Sequence, residues 1–409
     1  MTLQLDYSQE LTTRSARQPT ELHAPERLLL GPGPSSVDPL VMSAMSQPVV
    51  GHMDPYFLGQ LGELAGLLRG VFRTENPLTL TISGTGTAGM ETCLVNLLEP
   101  GDRVVVGASG YFGERVVEIA TRVGGAVTAV RAPWGTIVPP EAIEQALKSG
   151  GVKLVAMVQG ETSTGVLQPL EEIGRLCRDY GALLMVDTVA SLTAVPMEVD
   201  AWGVDACYTG SQKCLSAPPG LAPVTFSARA REAIARRATP VTSWYQDVTL
   251  LERYWFGDPP VYHHTPPINL YYALREAARL CMAEGLEERW ARHRRNCAAL
   301  IAGCEAMGMG MVVEPAHRLA SLTTVRVPEG VDEAAVRRVL LNEFNIEIAG
   351  GLGDLKGKAW RVGLMGYSSQ ARNVTFLLGA LGAALARQGH RLDVGAGLAA
   401  AQASLTSER

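Results

Sequence analysis

Short apolar runs alternating with helical stretches constrain this chain more than any other feature of it. The runs lie at 78–83, 103–108, 126–131, 153–158, 182–187, 205–209 and 222–226, with helical patterns between most of them. A strand that shows no polar face has to be covered on both sides, and helices between successive strands supply that cover. The pattern predicts a mostly parallel sheet with helices on both faces. Ahead of the first strand, Leu58, Leu61, Leu64, Leu67, Leu68 and Phe72 keep helical spacing. Pro139-Pro140-Glu141 opens a later helix, with proline where a first turn tolerates it.

The pattern changes after a helical stretch at 285–306. Residues 321–328 (SLTTVRVP) alternate like a half-exposed strand, and 332–344 read as an amphipathic helix. IEIAGG and AWRVGLMG follow, then a helix over 372–387. The reading is an α/β chain of 409 residues, long enough for one large core and a smaller second one. Its expected divisions are an N-terminal arm over 1–27, a large domain over 28–284, a smaller C-terminal α+β domain over 285–395 and a loosely held tail over 396–409 rich in Gly and Ala.

Composition excludes several functions. The net charge of −5, without blocks of like charge, argues against nucleic-acid partners and against a polybasic membrane surface. No apolar run reaches transmembrane length, and the first 26 residues lack the apolar core of a secretory signal. Seven scattered cysteines, an odd number without any C-x-x-C pair, read as reduced thiols of a cytoplasmic protein and not as a disulfide framework or zinc cluster.

The stretch TISGTGTAGME at 81–91 carries G-x-G-x-x-G in Gly84, Gly86 and Gly89, between an apolar run and a helical pattern. Such a turn suits an anion because unpaired N–H groups and the positive end of the helix dipole face it. A dinucleotide site also needs an acid about 20 residues on, at the end of the next strand. Here that strand ends in Ala108-Ser109-Gly110, and Glu99 and Asp102 lie at its other end. A Walker loop fails too, because no Gly-Lys-Ser/Thr follows. A single phosphate, with the Thr85 and Thr87 hydroxyls as added donors, and a plain strand–helix turn without ligand both remain open from this stretch alone.

Asp187 follows an unbroken apolar run in ALLMVDTVAS, at the carboxyl end of a strand where an unpaired carboxylate is costly. Lys213 sits 26 residues on, in the small-residue turn TGSQKCLSAPPG after another short strand. Alone, the acid could be a cap and the lysine a solvated surface group. In a parallel sheet both lie on the carboxyl edge, where ligands bind. A phosphate cradle, a buried Asp and a Lys on one edge match the needs of pyridoxal 5′-phosphate: the amine forms a Schiff base and the acid pairs with the pyridinium nitrogen.

With Lys213 in GSQKxLxxPPG and Asp187 in VDxVAS, the chain resembles the class V, fold type I, pyridoxal-phosphate-dependent aminotransferases. The likeness runs from LLLGPGPSSVDP at 28 through NPLTLTISGTGTAGMETCLVNLLEPGD, GETSTGVLQPL and YHHTPP to WRVGLMG near 361, and within the family it is to the alanine–glyoxylate and serine–glyoxylate enzymes. The resemblance implies that Lys213 is the Schiff-base lysine and Asp187 the partner of the ring nitrogen. Val189 and Phe112 would pack on the two ring faces, Phe112 standing where mammalian relatives have tryptophan. Thr85, Gly86 and Thr87 would form the phosphate turn, with threonine at 87 where those relatives have histidine. Thr162 matches a residue near the phenolic oxygen and Gln212 a phosphate contact. Tyr262 and Thr265 match residues that reach the neighbouring subunit's cofactor, which implies a homodimer with shared active sites. Arg361 matches the arginine that grips the substrate α-carboxylate, and the turn holding Gly33 matches a loop lining the substrate pocket. No metal is implied: Tyr262-His263-His264-Thr265 offers no evident third ligand.

The implied reaction moves an amino group from a small amino acid, alanine or serine, to glyoxylate. It yields glycine and the corresponding 2-oxo acid, with Lys213 as general base. An (S)-ureidoglycine–glyoxylate transaminase shares the whole chemistry of the site, and donor choice near His52 is not legible in the sequence. A cysteine desulfurase would need a nucleophilic cysteine in a mobile C-terminal loop, yet the last cysteine, Cys304, lies in a helical pattern. A non-catalytic binding protein is argued against by intact Lys213, Asp187 and Arg361.

Overall fold

The computed structural model describes residues 21–407. Most of the expected arm, residues 1–20, and the last two residues of the tail lie outside them.

β1 (Leu28–Leu29) is followed by the strands of the main sheet, β2 (Leu78–Ser83), β3 (Arg103–Ala108), β4 (Ala126–Arg131) and β5 (Val152–Val158). A two-stranded hairpin, β6 (Gly160–Glu161) and β7 (Val166–Leu167), precedes β8 (Leu183–Asp187), β9 (Ala206–Tyr208) and β10 (Leu221–Phe226). The seven long-range partners order as β2-β10-β9-β8-β5-β3-β4. Every apolar run of the sequence thus finds a place in one sheet. The two edge strands differ: β4 is the least buried of the seven, while β2 is almost wholly buried.

β10 runs antiparallel to both β2 and β9, while all other pairings within the sheet are parallel. The reason is local. A parallel crossover needs a helix to return the chain, and only a turn-rich loop joins Tyr208 to Leu221. Helices Gly86–Leu97, Tyr111–Arg122, Pro140–Leu147 and Glu171–Asp179 make the crossovers between the parallel strands. Helix Pro55–Phe72, capped by Asp54 and closed by left-handed Arg73, packs its apolar stripe into the same core.

Helix Ile268–Glu284 ends at Gly285 (φ 85°), and helix Leu286–Ala306 starts there in a new direction. Beyond it lies a second core around a three-stranded antiparallel sheet of β11 (Leu322–Arg326), β13 (Ala349–Gly350) and β14 (Ala359–Gly363), in the order β11-β14-β13. β12 (Ile346–Glu347) pairs in parallel with β1, so Leu30 belongs to this second core although it stands among the residues expected in the large domain. Residues 396–407, expected in a loosely held tail, instead belong to a helix, Val394–Ser407, against Leu286–Ala306. Its glycines and alanines conceal the apolar period but permit close approach: a Cβ on Gly397 would fall 2.5 Å from Met307 Cγ, and Ala401 is fully buried.

Candidate active site

β2, β8 and β9 point the same way, so Ser83, Asp187 and Tyr208 end on one edge of the sheet. The glycine turn leaves that edge after β2, the lysine turn after β9, and the Gly160–Leu167 hairpin after β5.

Asp187 closes the wholly buried strand β8 and is itself 2% exposed. Its carboxylate is held by two donors: the Val189 N–H at 2.8 Å on one oxygen and the Tyr208 hydroxyl at 2.6 Å on the other. Burial pushes its pKa up to about 6 against the pull of both hydrogen bonds. Asp187 and Tyr208 are register partners across β8 and β9, which fixes this pairing by topology.

Lys213 follows β9 in a turn tied to the N-terminal segment: Ser35 Oγ donates to the Lys213 carbonyl at 2.7 Å and Ser35 N–H to the Gln212 carbonyl at 2.8 Å. The Lys213 Nζ donates to the Pro32 carbonyl. Its stem crosses Gly33, where a Cβ would come within 2.4 Å of both Cδ and Nζ. With φ of +109°, Gly33 is required both for its backbone conformation and for the room it leaves the lysine. Burial pulls the Lys213 ammonium down to about 8, which brings the neutral, nucleophilic amine toward physiological pH.

The glycine turn opens helix Gly86–Leu97, with Thr85 as an N-cap whose hydroxyl makes no capping bond. The first N–H groups of such a helix have no intrahelical partner. A Cβ on Gly86 would lie 2.9 Å from Val189 Cγ2, so valine and turn are in contact. Thr87 Oγ1 accepts from Arg115 Nη1 at 3.1 Å, and the same guanidinium covers the half-buried Phe112 ring at 4.9 Å. Gln212 Oε1 is buried without a hydrogen-bond partner.

Arg361 lies in the middle of β14 and is 7% exposed. Its Nε donates to the Gly350 carbonyl at 2.8 Å and its Nη1 to the Thr162 carbonyl at 3.1 Å. Burial draws its pKa down, with the Glu161 charge opposing. It forms no salt bridge among the described residues, so the fork is oriented but its charge is not matched by an acid at contact. The main chain of Leu30 enters the small sheet beside it: Gly363 N–H donates to the Leu30 carbonyl at 2.8 Å, and a Cβ on Gly363 would strike the Gly31 carbonyl at 2.0 Å. One segment, residues 30–35, therefore joins the arginine strand to the lysine turn.

Asp187, Val189 and Gly86 form one contacting set, which meets Gln212, Lys213 and Gly33 through Gly210, while Thr162 and Arg361 are joined to them through the 30–35 segment. Tyr262 and Thr265 are not so linked. Tyr262 is 57% exposed with its ring 4.9 Å from His52, and neither side chain hydrogen-bonds into this cluster among the described residues. His263 and His264 face each other at 2.8 Å, and His264 Nε2 meets Ser83 Oγ at 2.8 Å. No three His, Cys, Asp or Glu side chains among the described residues gather as a metal cluster.

Sequence reasoning missed Tyr208, the Pro32 carbonyl, Arg115 and Glu161. Glu161 carried a readable signal: like Asp187, it is an acid just past a buried apolar run, and it is 1% exposed.

A buried carboxylate and a lysine of lowered pKa thus stand at the carboxyl edge of an α/β sheet, beside a helix N-terminus. The chain belongs to the class-V aminotransferase family, whose family model matches residues 60–370. It is 43% identical over 399 residues to the (S)-ureidoglycine–glyoxylate transaminase of Bacillus subtilis, covering 93% of this chain and 96% of that protein. It is 42% identical over 367 residues to the alanine–glyoxylate aminotransferase of Rattus norvegicus, covering 89% of each. The solved structure of an alanine–glyoxylate aminotransferase from Nostoc superposes with a TM-score of 0.88 at 52% identity, over 90% of this chain and 98% of that one.

Proposed function

We propose that this aminotransferase transfers the amino group of a small amino acid, alanine or serine, to glyoxylate, giving glycine and the matching 2-oxo acid, with pyridoxal 5′-phosphate as cofactor. The observation that carries the reading is the shared sheet edge on which Asp187, with a pKa near 6, and Lys213, with one near 8, stand beside a helix N-terminus. The residues fit the cofactor. The bare first turn at Gly86 offers backbone N–H donors to a phosphate, and the two-donor cradle favours the ionised form of Asp187 that a protonated ring nitrogen needs.

When bound, the cofactor supplies an electrophilic carbon and an electron-withdrawing ring. In this reading the chain does the rest. Gly86, the hydroxyls of Thr85 and Thr87, and Gln212 hold the phosphate. Asp187, ionised at neutral pH, holds the ring nitrogen's proton. Val189 and Phe112 cover the two ring faces, and Thr162 lies by the phenolic oxygen. Arg361 receives the substrate α-carboxylate as a bidentate fork. Lys213 Nζ would take the proton from the substrate Cα and return it two bonds away, across the amino nitrogen. Gly33 leaves the space through which that amine moves.

Tyr262 and Thr265 would serve the second subunit of a homodimer. The exposed apolar surface of Leu40, Val49, Tyr56, Trp244, Val261 and Tyr262 supports such an interface. A cytoplasmic location suits the free, buried cysteines. No helix among the described residues is long and apolar enough to cross a membrane.

A second reading, transfer from (S)-ureidoglycine to glyoxylate, is favoured by the likeness to the Bacillus subtilis protein over nearly the whole chain. Separate half-reactions decide between them. The cofactor-loaded protein is mixed with alanine, serine or ureidoglycine, and the visible absorbance is followed, then glyoxylate is added. Bleaching by alanine or serine and recovery with glyoxylate is the expected result. Bleaching by ureidoglycine alone selects the second reading, and no response to any of the three contradicts both.

A further inference from the structure

Glu161 does work that the roles above leave unassigned. Both of its oxygens are used. One accepts from the Phe112 and Gly113 N–H groups at 3.2 Å each, at the start of helix Tyr111–Arg122. The other accepts from Ser163 N–H at 3.0 Å and Ser163 Oγ at 2.6 Å. Ser163 Oγ in turn accepts from the Tyr111 N–H at 3.0 Å. The two segments meet so closely that a Cβ on Gly110 would fall 2.4 Å from Ser163 Oγ and 2.5 Å from Glu161 Cγ. On one side of this knot stands Phe112. On the other, the next residue, Thr162, offers its carbonyl to Arg361 at 3.1 Å.

We infer that Glu161 is a positioning residue that sets the Phe112 ring and the Arg361 fork in one frame, so that the cofactor plane and the substrate carboxylate are registered to each other. The inference rests on the aminotransferase reading of the site. A cap alone could be any acceptor, and a loop brace alone could be a neutral amide. Four donors converging on two oxygens require a carboxylate, because an amide at the same place turns an NH₂ toward either two backbone N–H groups or Ser163. The charge is also well placed: it lies near enough to Arg361 and to Asp187 to act on both.

The test is Glu161→Gln, nearly equal in volume, in the full-length protein. Three quantities are read: the dissociation constant of cofactor-free protein for pyridoxal 5′-phosphate, the circular dichroism of the bound cofactor, and KM against kcat for alanine and glyoxylate. Loss of charge-assisted hydrogen bonds at this knot should weaken cofactor binding and raise both KM values by roughly tenfold or more. The visible dichroism should fall while the visible absorbance still forms. Should that variant fail to fold, Ser163→Ala removes one donor, keeps the charge, and should show the same signature in smaller measure. A lowered Tm with dissociation constant, dichroism and both KM values unchanged would reduce Glu161 to a structural brace and overturn the inference. If the wild-type protein itself forms no visible complex with pyridoxal 5′-phosphate, the aminotransferase reading fails instead, so the two failures are distinguishable.

Discussion

The hydroxyl of Tyr208 lies 2.6 Å from the Asp187 carboxylate, reaching it from the adjacent strand in direct register. Burial lifts the Asp187 pKa from its ordinary 3.8 to about 6, and the tyrosine bond works against that lift. Because the folded value exceeds the unfolded one, the ionised acid costs stability above pH 6, and the cost is relieved as pH falls from about 6 toward 3.8.

This pairing sets a pH profile. The cofactor-free protein should bind pyridoxal 5′-phosphate less well as pH falls through about 6, where Asp187 gains a proton and can no longer hold the ring nitrogen's charge. Tyr208→Phe removes a donor that favours the ionised form, so the midpoint should move up by about one pH unit or more. Titrations of wild type and variant at several pH values check this. The cofactor's own phosphate titrates alike in both, so an unmoved midpoint would contradict the role given to Tyr208.

Arg361→Ala should raise KM for every α-carboxylate substrate and lower kcat/KM by about 2–4 kcal/mol, as expected for truncating one partner of a buried charged contact. Arg361→Lys keeps the charge but not the planar fork, and its loss should be intermediate or larger. Steady-state kinetics with two unrelated amino donors separate this from a donor-specific effect, and a normal KM would remove Arg361 from the site.

Gly33→Ala places a methyl group 2.4 Å from Lys213 Nζ and asks alanine to hold φ of +109°. The strained backbone costs on the order of 1–3 kcal/mol. The flexible lysine must also move off the Pro32 carbonyl. The variant should fold with a modestly lower Tm and capture the cofactor aldehyde at least about tenfold more slowly. Stopped-flow absorbance measures the capture rate, and a wild-type rate would mean that Gly33 does not shape the path of the amine.

What the sequence made legible is what a single strand or turn encodes. Asp187 and Lys213 were visible only as a pair: alone the acid could be a cap and the lysine a surface group, but both fall on the carboxyl edge of one sheet. Six of the seven strands were visible because each is buried along most of its length, and β4, partly exposed at the sheet edge, because it still reads as a short apolar run. What stayed hidden depends on distant partners. Nothing near Tyr208 says that its hydroxyl reaches a carboxylate 21 residues earlier. The reversed direction of β10 lies in the absence of a crossover helix, which matters only once its neighbours are known. Helix Val394–Ser407 was hidden because glycine and alanine carry almost no apolar period, although they pack closest. Leu30 looked like the start of the first domain, yet its backbone is claimed by β12 and β14 of the second.

The account turns on Lys213 as the amine that meets the cofactor. The direct measurement is to incubate the cofactor-free protein with pyridoxal 5′-phosphate, fix any carbon–nitrogen link with borohydride, digest, and locate the added mass by tandem mass spectrometry. A single stoichiometric adduct on Lys213, absent from Lys213→Ala together with turnover, is the predicted result. An adduct on another lysine with Lys213 unmodified, or full activity in Lys213→Ala, would contradict it.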